Sequence, residues 1–378
     1  MFGTKYLINR ISASLILLIS LLFLLKYGSR YTEYSILPIL IFGIFFLLFL
    51  FFIDRKRVSS WNFNRKYLLL SLILLGVILV FVMTKIPETT RVGRLPAILD
   101  WLGNIERGNF PYRAESNPSG FPILFFLVSP FYLLGDVGYF EVFGLLLFIY
   151  IILNSVKTEK EFLVKVFLLL SAIPVYYELA VRSELLANVT IFLAILIPYH
   201  KSLDNCESKV VFYTGAILMG LLLSTRLVIG LLLLLFIIFQ FRNNISKLIL
   251  FSISSGLVFV ITLIPFYLWD GEYFIANGPF SIQLLYLPTW GILLFLIIIL
   301  YSGLIISTLR EYFFAGGLIL FLVTLFSMSV TIFEYGLTNA LFNDYFDISY
   351  FTFAIPLLIL SIEDYENDKL LGKLIDVQ

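Results

Sequence analysis

Apolar runs long enough to cross a bilayer recur along almost the whole chain. A membrane helix needs about 20 mostly apolar residues, within a range of about 17 to 25. Candidates lie near 7–27, 36–53, 67–84, 139–153, 161–180, 185–199, 210–224, 227–240, 248–268, 288–307, 312–332 and 348–362. The run 121–135 is also apolar, but it is short, contains Pro122 and Pro130, and is followed at once by another apolar run. It is therefore read as a segment that lies along or re-enters one face without spanning. The pattern predicts an all-α polytopic membrane protein with about twelve transmembrane helices, within limits of about eleven to thirteen. The first run follows Lys5 and Arg10 and imitates a signal peptide, yet Lys26-Tyr27-Gly28-Ser29-Arg30 offers no cleavage site, so it is read as a retained span.

Basic residues orient these spans, because Lys and Arg concentrate in short cytoplasmic loops. Arg55, Lys56, Arg57, Arg65 and Lys66 make 54–66 the most basic loop, which is accordingly placed inside. Both termini are then cytoplasmic, and the long loop 85–120 is extracytoplasmic. If 121–135 does not span, Lys157, Lys160, Lys165, Lys201, Lys209, Arg242, Lys247 and Arg310 all fall inside. Loops 269–287 and 333–347, which contain no Lys or Arg, fall outside. If 121–135 spans, every later assignment inverts.

The outer loop holds the most informative polar pattern. Leu95, Ile98, Leu99, Leu102 and Ile105 recur at helical spacing, so 94–107 reads as a short amphipathic helix lying in the membrane interface, ending at Gly108. The turn Asn109-Phe110-Pro111-Tyr112 follows. Under this topology Glu178, Arg182 and Glu184, the lone Arg226, and Asp270, Glu272, Asp344 and Asp347 share the same face. Charges at spans are expensive, so they line a cavity, pair, or do chemistry. Plainer readings stand beside that one: Glu178 and Arg182 at i, i+4 as an intrahelical pair, Arg226 snorkelling to headgroups, Arg91 and Arg94 anchoring the amphipathic helix to lipid phosphate, and Asp100 on a solvated face.

Composition narrows the chemistry. Of 378 residues, 60% are hydrophobic and 13% charged, and the formal charge of +1 gives no footprint for nucleic acid. One cysteine, Cys206, and one histidine, His200, cannot form a multi-histidine zinc site or an internal disulfide. His200 falls on the predicted inner side, which speaks against a histidine-dependent acyltransferase. No sequence repeat is visible. The chain divides into 1–66, two helices and the basic loop; 67–362, a transmembrane core carrying the outer loop; and 363–378, a charged cytoplasmic tail.

Across about 67–230 the residues resemble a known family. Glu88-x-x-Arg91, Asp100-Trp101, Gly108-Asn109-Phe110-Pro111-Tyr112 and Asn117-Pro118-Ser119-Gly120-Phe121-Pro122 look like the first outer loop of the GT-C fold glycosyltransferases that use polyprenyl-phosphate sugars, among them mannosyltransferases. Members often carry Asp-x-x-Arg, Asp-Gly, Gly-x-Asn-Pro-Tyr and Tyr-Pro-Pro at such positions. Here the early acid is Glu88, its distance to Gly108 is longer, and Asn-Pro-Ser-Gly-Phe-Pro replaces Tyr-Pro-Pro. The two helices before residue 60 are an addition to the common core. Arg182-Ser183-Glu184 and Ser224-Thr225-Arg226 are similar to positions where the family keeps polar or cationic residues.

The resemblance implies transfer of a sugar from a polyprenyl-phosphate donor to a glycan or lipid acceptor hydroxyl, at the extracytoplasmic face of the cell membrane. Glu88 or Asp100 would be the general base. Arg91, Arg94, Arg182 and Arg226 would hold the donor phosphate, and Glu184, Tyr112 and Asn117 would position loop and acceptor. No cofactor is implied and no metal site is predicted. Two other classes remain open, a transporter or flippase for lipid-linked glycans and a membrane polysaccharide polymerase. The first favours repeats and midplane charges, and the second a large outer loop late in the chain.

Overall fold

A computed structural model describes residues 2–30, 36–55, 65–86, 94–205 and 208–363. Residues 56–64 of the basic loop 54–66, the tail beyond Glu363 and the segment 87–93 therefore lie outside the described residues, and with them Glu88 and Arg91. All regular structure among the described residues is helical.

The first three helices are α1 (Phe2–Gly28), α2 (Ile36–Arg55) and α3 (Arg65–Lys85), followed by the short α4 (Arg94–Glu106) and α5 (Pro122–Leu133). The central group is α6 (Tyr139–Ser155), α7 (Glu159–Ser171), α8 (Ile173–Val181), α9 (Leu185–Asn205), α10 (Lys209–Leu223) and α11 (Leu227–Phe241). The last group is α12 (Ile245–Asn277), α13 (Pro279–Gln283), α14 (Thr289–Ile305), α15 (Leu309–Tyr335) and α16 (Leu337–Phe342), then a 3-10 helix (Ile348–Ala354) running into α17 (Ile355–Leu360).

Every apolar run of the sequence is helical, but length separates them. Among the described residues four helical stretches, Tyr6–Gly28, Leu185–Leu203, Ile245–Gln283 (which takes in α12 and α13) and Leu309–Tyr335, are long and apolar enough to cross a membrane, and the apolar stretches of the other helices are shorter. The single span expected over 161–180 is broken instead: α7 and α8 meet at an angle of 51°. Ala172 leaves the helix in an extended conformation (ψ 92°), and Pro174 starts α8, where its missing N–H costs nothing. At 12 residues α5 rises about 18 Å, short of a hydrocarbon core of about 30 Å.

Two helix starts use one device. Thr158 Oγ1 accepts from Glu161 N at 3.1 Å while Glu161 Oε2 accepts from Lys157 N at 3.2 Å. Thr308 and Glu311 repeat it, with Ser307 N donating to Glu311 Oε2 at 2.7 Å. Each threonine satisfies an amide left over by the first turn, and each acid reaches back to the amide just before the threonine.

The core runs along α9, whose Leu185, Leu186, Val189, Phe192, Leu193 and Leu196 are fully buried. Close packing of α9 on α6 depends on Gly144, where a Cβ would stand 2.3 Å from the Ala187 Cα. Outer helices keep large apolar side chains exposed, such as Ile41 on α2, Val77 on α3, Ile261 on α12 and Ile297 on α14. In lipid these need no cover, whereas in water they would form a large aggregating surface.

Polar side chains collect in two layers at the two ends of the bundle. At one end of α1, Lys26 Nζ donates to the Asn343 and Phe346 carbonyls at 3.0 and 2.8 Å. At the other, Asn9 Oδ1 accepts from Arg310 Nη2 at 2.9 Å, and Arg310 Nε reaches the Ser361 carbonyl. Asn9 and Lys26 are about 26 Å apart at about 1.5 Å per helical residue, close to the thickness of a hydrocarbon core.

Candidate functional site

Arg94 opens α4 at the Lys26 end of the bundle. Its Nη2 lies 2.8 Å from Asp347 Oδ2, its Nη1 donates to Ser349 Oγ at 2.6 Å, and its guanidinium stands over the Tyr350 ring at 4.7 Å. Its Nε is 3.8 Å from Glu184 Oε1. That same oxygen pairs with Nη2 of Arg226, so one fully buried carboxylate lies between two arginines.

The residues arrive there because two connections are tight. Arg182 ends α8 in the left-handed conformation (φ 57°), which turns the chain through Ser183 and Glu184 into α9. The α9 N-terminus is then capped from α6: Glu141 takes the Leu186 and Ala187 amides on its two oxygens, both at 3.1 Å. Between α10 and α11, Ser224 and Thr225 break the helix and Arg226 sits extended at the start of α11. Thr225 Oγ1 bonds the Leu222 carbonyl at 2.6 Å and Asn188 Oδ1 at 3.1 Å, fixing the break against α9.

The outer loop is attached to that break. Phe121 N donates to the Thr225 carbonyl and Ile123 N to the Ser224 carbonyl, both at 3.0 Å. Arg226 Nη1 donates to Ser119 Oγ at 2.7 Å. Gln283 of α13 closes the circuit, donating to the Ser119 carbonyl at 2.5 Å and accepting from Leu227 N at 2.8 Å.

Several buried polar atoms here have no hydrogen-bond partner: Glu184 Oε2, Glu178 Oε2, Arg226 Nε and Asn188 Nδ2. Such atoms cost free energy unless a ligand or water completes them. Burial raises the Asp347 carboxyl, but Arg94 and the bonds from Ser349 outweigh it, and Asp347 titrates below the ordinary aspartate value. Arg94, buried and ringed by Asp347, Tyr350 and Glu184, is held more firmly protonated than a free arginine.

The structure thus joins Arg94, Arg226 and Glu184. It separates other residues that the sequence suggested. Arg182 binds Asp136 Oδ2 at 2.5 Å and the Met83 carbonyl at 3.2 Å, linking α8 to the α5–α6 turn and to the end of α3. The left-handed Arg182 leaves the helical register that the i, i+4 pairing with Glu178 assumed. Glu178 accepts from Thr352 Oγ1 at 3.3 Å. Arg226 does not snorkel to headgroups, being only 2% exposed. Asp100 accepts from Ser116 Oγ at 2.5 Å and has no bond to the Arg94 group.

Tyr112 and Asn117 shape the loop. Tyr112 is buried among Trp101, Phe125 and Phe274, and its hydroxyl donates to the Gly120 carbonyl at 3.0 Å. That burial suits it to hold the loop. Asn117 is exposed in a turn at φ 48°, where asparagine is tolerated.

The amphipathic helix is real, with a different partner. Leu95, Ile98 and Leu102 of α4 face a second core with α5 and α12, and only Leu99 of the predicted stripe is exposed, at 40%. Trp101 is the deepest residue of α4, its ring stacked on Phe125 at 4.2 Å. Asn104 is also buried, holding the Arg113 carbonyl and Arg107.

Sequence reasoning gave no role to Ser119, Gln283, Asp136, Glu141, Ser349 or Tyr350. It placed Asp347 at this face, in a loop without Lys or Arg, and that imbalance was the available signal for its pairing with Arg94. Among the described residues no group of three or more His, Cys, Asp or Glu side chains is placed to hold a metal ion. Comparison with family models, with curated proteins and with solved structures gives no match to this chain.

Proposed function

We propose that the chain is an integral membrane glycosyltransferase of the GT-C kind, which moves a sugar from a polyprenyl-phosphate donor to a hydroxyl of a glycan or lipid acceptor at the extracytoplasmic face. The observation that supports it is the convergence of Arg94 and Arg226 on Glu184, beside the attached end of the outer loop. Arginine presents a planar fork of donors suited to phosphate oxygens.

In the reaction, the acceptor oxygen attacks the anomeric carbon and its proton passes to a carboxylate. The bond from that carbon to the phosphate oxygen breaks with its electron pair going to phosphate. The donor phosphodiester carries one negative charge and the departing monoester gains a second, so fixed cations bind the transition state better than the ground state. Arg94 is the more open of the pair, its side chain 12% exposed against 3% for Arg226. The base is Glu88, six positions before Arg94 in sequence; Asp100, already engaged by Ser116, is the weaker candidate.

Purified protein given a panel of polyprenyl-phosphate sugars is expected to release polyprenyl phosphate. Glu88→Gln is expected to lower that rate by about 10²- to 10⁴-fold with unchanged thermal stability. Full activity of Glu88→Gln would remove Glu88 from the mechanism.

One observation favours transport as a second reading. The broken pair α7–α8, bent by 51°, carries the buried Glu178, and discontinuous helices with polar groups are a device of transporters. Movement of a lipid-linked glycan across proteoliposomes with no polyprenyl phosphate released would select it.

A further inference from the structure

At the Lys26 end of the bundle a wide, open cavity of about 580 Å³ lies between Arg30 beyond α1, Tyr286 before α14, and the segment from Phe342 to Tyr345 that leaves α16. Among the described residues its lining combines the aromatic rings of Tyr286, Phe342 and Tyr345 with the polar groups of Arg30, Asn343 and Asp344. Arg30 Nη2 lies 3.1 Å from Asp344 Oδ1, so the two charges of this lining offset each other. The ligand that suits such a lining is uncharged, with an apolar face for the rings and hydrogen-bonding groups at its edge.

The rings are braced from behind and open in front. Tyr345 is 46% exposed, with its ring 5.0 Å from that of Tyr335, and Tyr286 rests on the buried Phe346 at 5.9 Å. Lys26 holds the segment through the Asn343 and Phe346 carbonyls, while the side chains of Asn343 and Asp344 stay exposed. Asn343 Nδ2 donates to Asn339 Oδ1 at 2.9 Å, which leaves its own Oδ1 and a second amide hydrogen for a ligand. Both walls are also tied to the Arg94 and Arg226 group. Asp347, which binds Arg94, follows Asp344 by three residues, a Cα separation of at most about 11 Å. Gln283, which bonds Ser119 and Leu227, precedes Tyr286 by three.

We propose that this cavity is a saccharide subsite that holds the glycan part of the acceptor, with Tyr345 and Tyr286 against sugar rings and Asn343, Asp344 and Arg30 on their hydroxyls. A pyranose ring carries C–H groups on its faces and hydroxyls around its edge. Its weakly positive C–H face is drawn to the negative face of an aromatic ring, and the hydroxyls both donate and accept. The cavity falls within the usual ligand-site range of about 300–1,000 Å³, and its open side lets a chain longer than the cavity pass through. The acceptor role rests on the transferase reading; saccharide binding does not.

The full chain, in a detergent with no sugar headgroup, is titrated with mannotriose, maltotriose and chitotriose, and binding is read by saturation-transfer NMR. At least one trisaccharide is expected to bind, with transfer strongest to its ring C–H protons. Tyr345→Ala is expected to weaken binding by about two- to tenfold, and Tyr345→Phe, which keeps the ring, to leave it nearly unchanged. Tyr301→Ala, at a tyrosine exposed on α14 about 18 Å along the helix from Thr289, is expected to have no effect. Melting temperatures of the variants separate lost binding from lost folding. Binding of none of the three, undiminished binding in Tyr345→Ala, or an equal loss in Tyr301→Ala would each overturn the proposal. Polyprenyl-phosphate release is scored on the same preparations. Binding that Tyr345→Ala weakens, with no release from any donor, upholds the saccharide site and counts against the transferase reading alone. Release with an acceptor KM unchanged in Tyr345→Ala upholds that reading and overturns the subsite.

Discussion

Arg226 and Glu184 bury opposite charges against each other among apolar helices, so removing Glu184 leaves Arg226 without its carboxylate, and removing Arg226 leaves Glu184 only the longer contact to Arg94 at 3.8 Å. Arg226→Ala is expected to destabilise the protein by about 3–5 kcal/mol, while replacing both residues with apolar side chains of similar volume restores much of that loss. Thermal unfolding in detergent measures both, and a double variant no more stable than the single one would contradict it. Asp347 behaves differently because it is partly open to solvent. Its carboxyl titrates below the ordinary 3.8, so its bond to Arg94 contributes stability above that pH and loses it as pH falls through the lowered value. Unfolding followed against pH is expected to show a loss of stability below about pH 4 that is smaller in Asp347→Asn. Single residues were partly legible in the sequence. Arg94, Arg226 and Glu184 stood out because charges are scarce in an apolar chain. That Arg182 turns away from them depends on one backbone angle, which residue spacing does not encode.

Helices were the most legible level, since each apolar run became one or two helices, most of them near the predicted ends, although the run read as 248–268 continues in α12 to Asn277. The sequence did not reveal where two helices approach closely, because that is set by what lies opposite a given residue. Gly144 is such a place. Gly144→Val is expected to push α6 from α9, pull Glu141 from the Leu186 and Ala187 amides, and cost several kcal/mol, at least the about 1–3 kcal/mol of ordinary overpacking. Gly256, in the middle of α12 with nothing within 4 Å of a built Cβ, serves as its control. There Gly256→Ala is expected to be neutral or to stabilise by up to about 1 kcal/mol. Chemical unfolding compares the two, and equal effects would refute the close-packing argument. The 94–107 periodicity likewise fixed a helix and its apolar side, but Trp101 and Phe125 show that the apolar side is met by protein.

At the scale of the whole molecule, the two polar layers at the ends of α1 give the bundle an axis. Basic residues of the predicted inner loops, among them Lys160, Arg242 and Arg310, belong with the Asn9 end by their contacts or by the helix ends they occupy. The Lys26 end holds Arg94, Asp347 and Arg226. In a Cys206→Ser background, cysteines introduced at Glu272 and Tyr286 are expected to react with an impermeant thiol reagent from outside. Cysteines at Lys201 and Asn243 are expected to react only after permeabilisation. The reverse pattern would invert the orientation and mean that 121–135 crosses the bilayer. The sequence could propose this axis because Lys and Arg distribute asymmetrically between loops. It could not show that residues 121–123 end on the α10–α11 break, since neither partner in that contact is a side chain.

That contact has a consequence for how the chain can vary. Two amides where the chain enters α5, those of Phe121 and Ile123, bond two carbonyls of the helix break, so the join survives nearly any exchange of side chains on either side of it. Alanine scanning would pass over it without a signal. Drift in the residues around it can change the side chains that the loop presents while its anchorage stays in place.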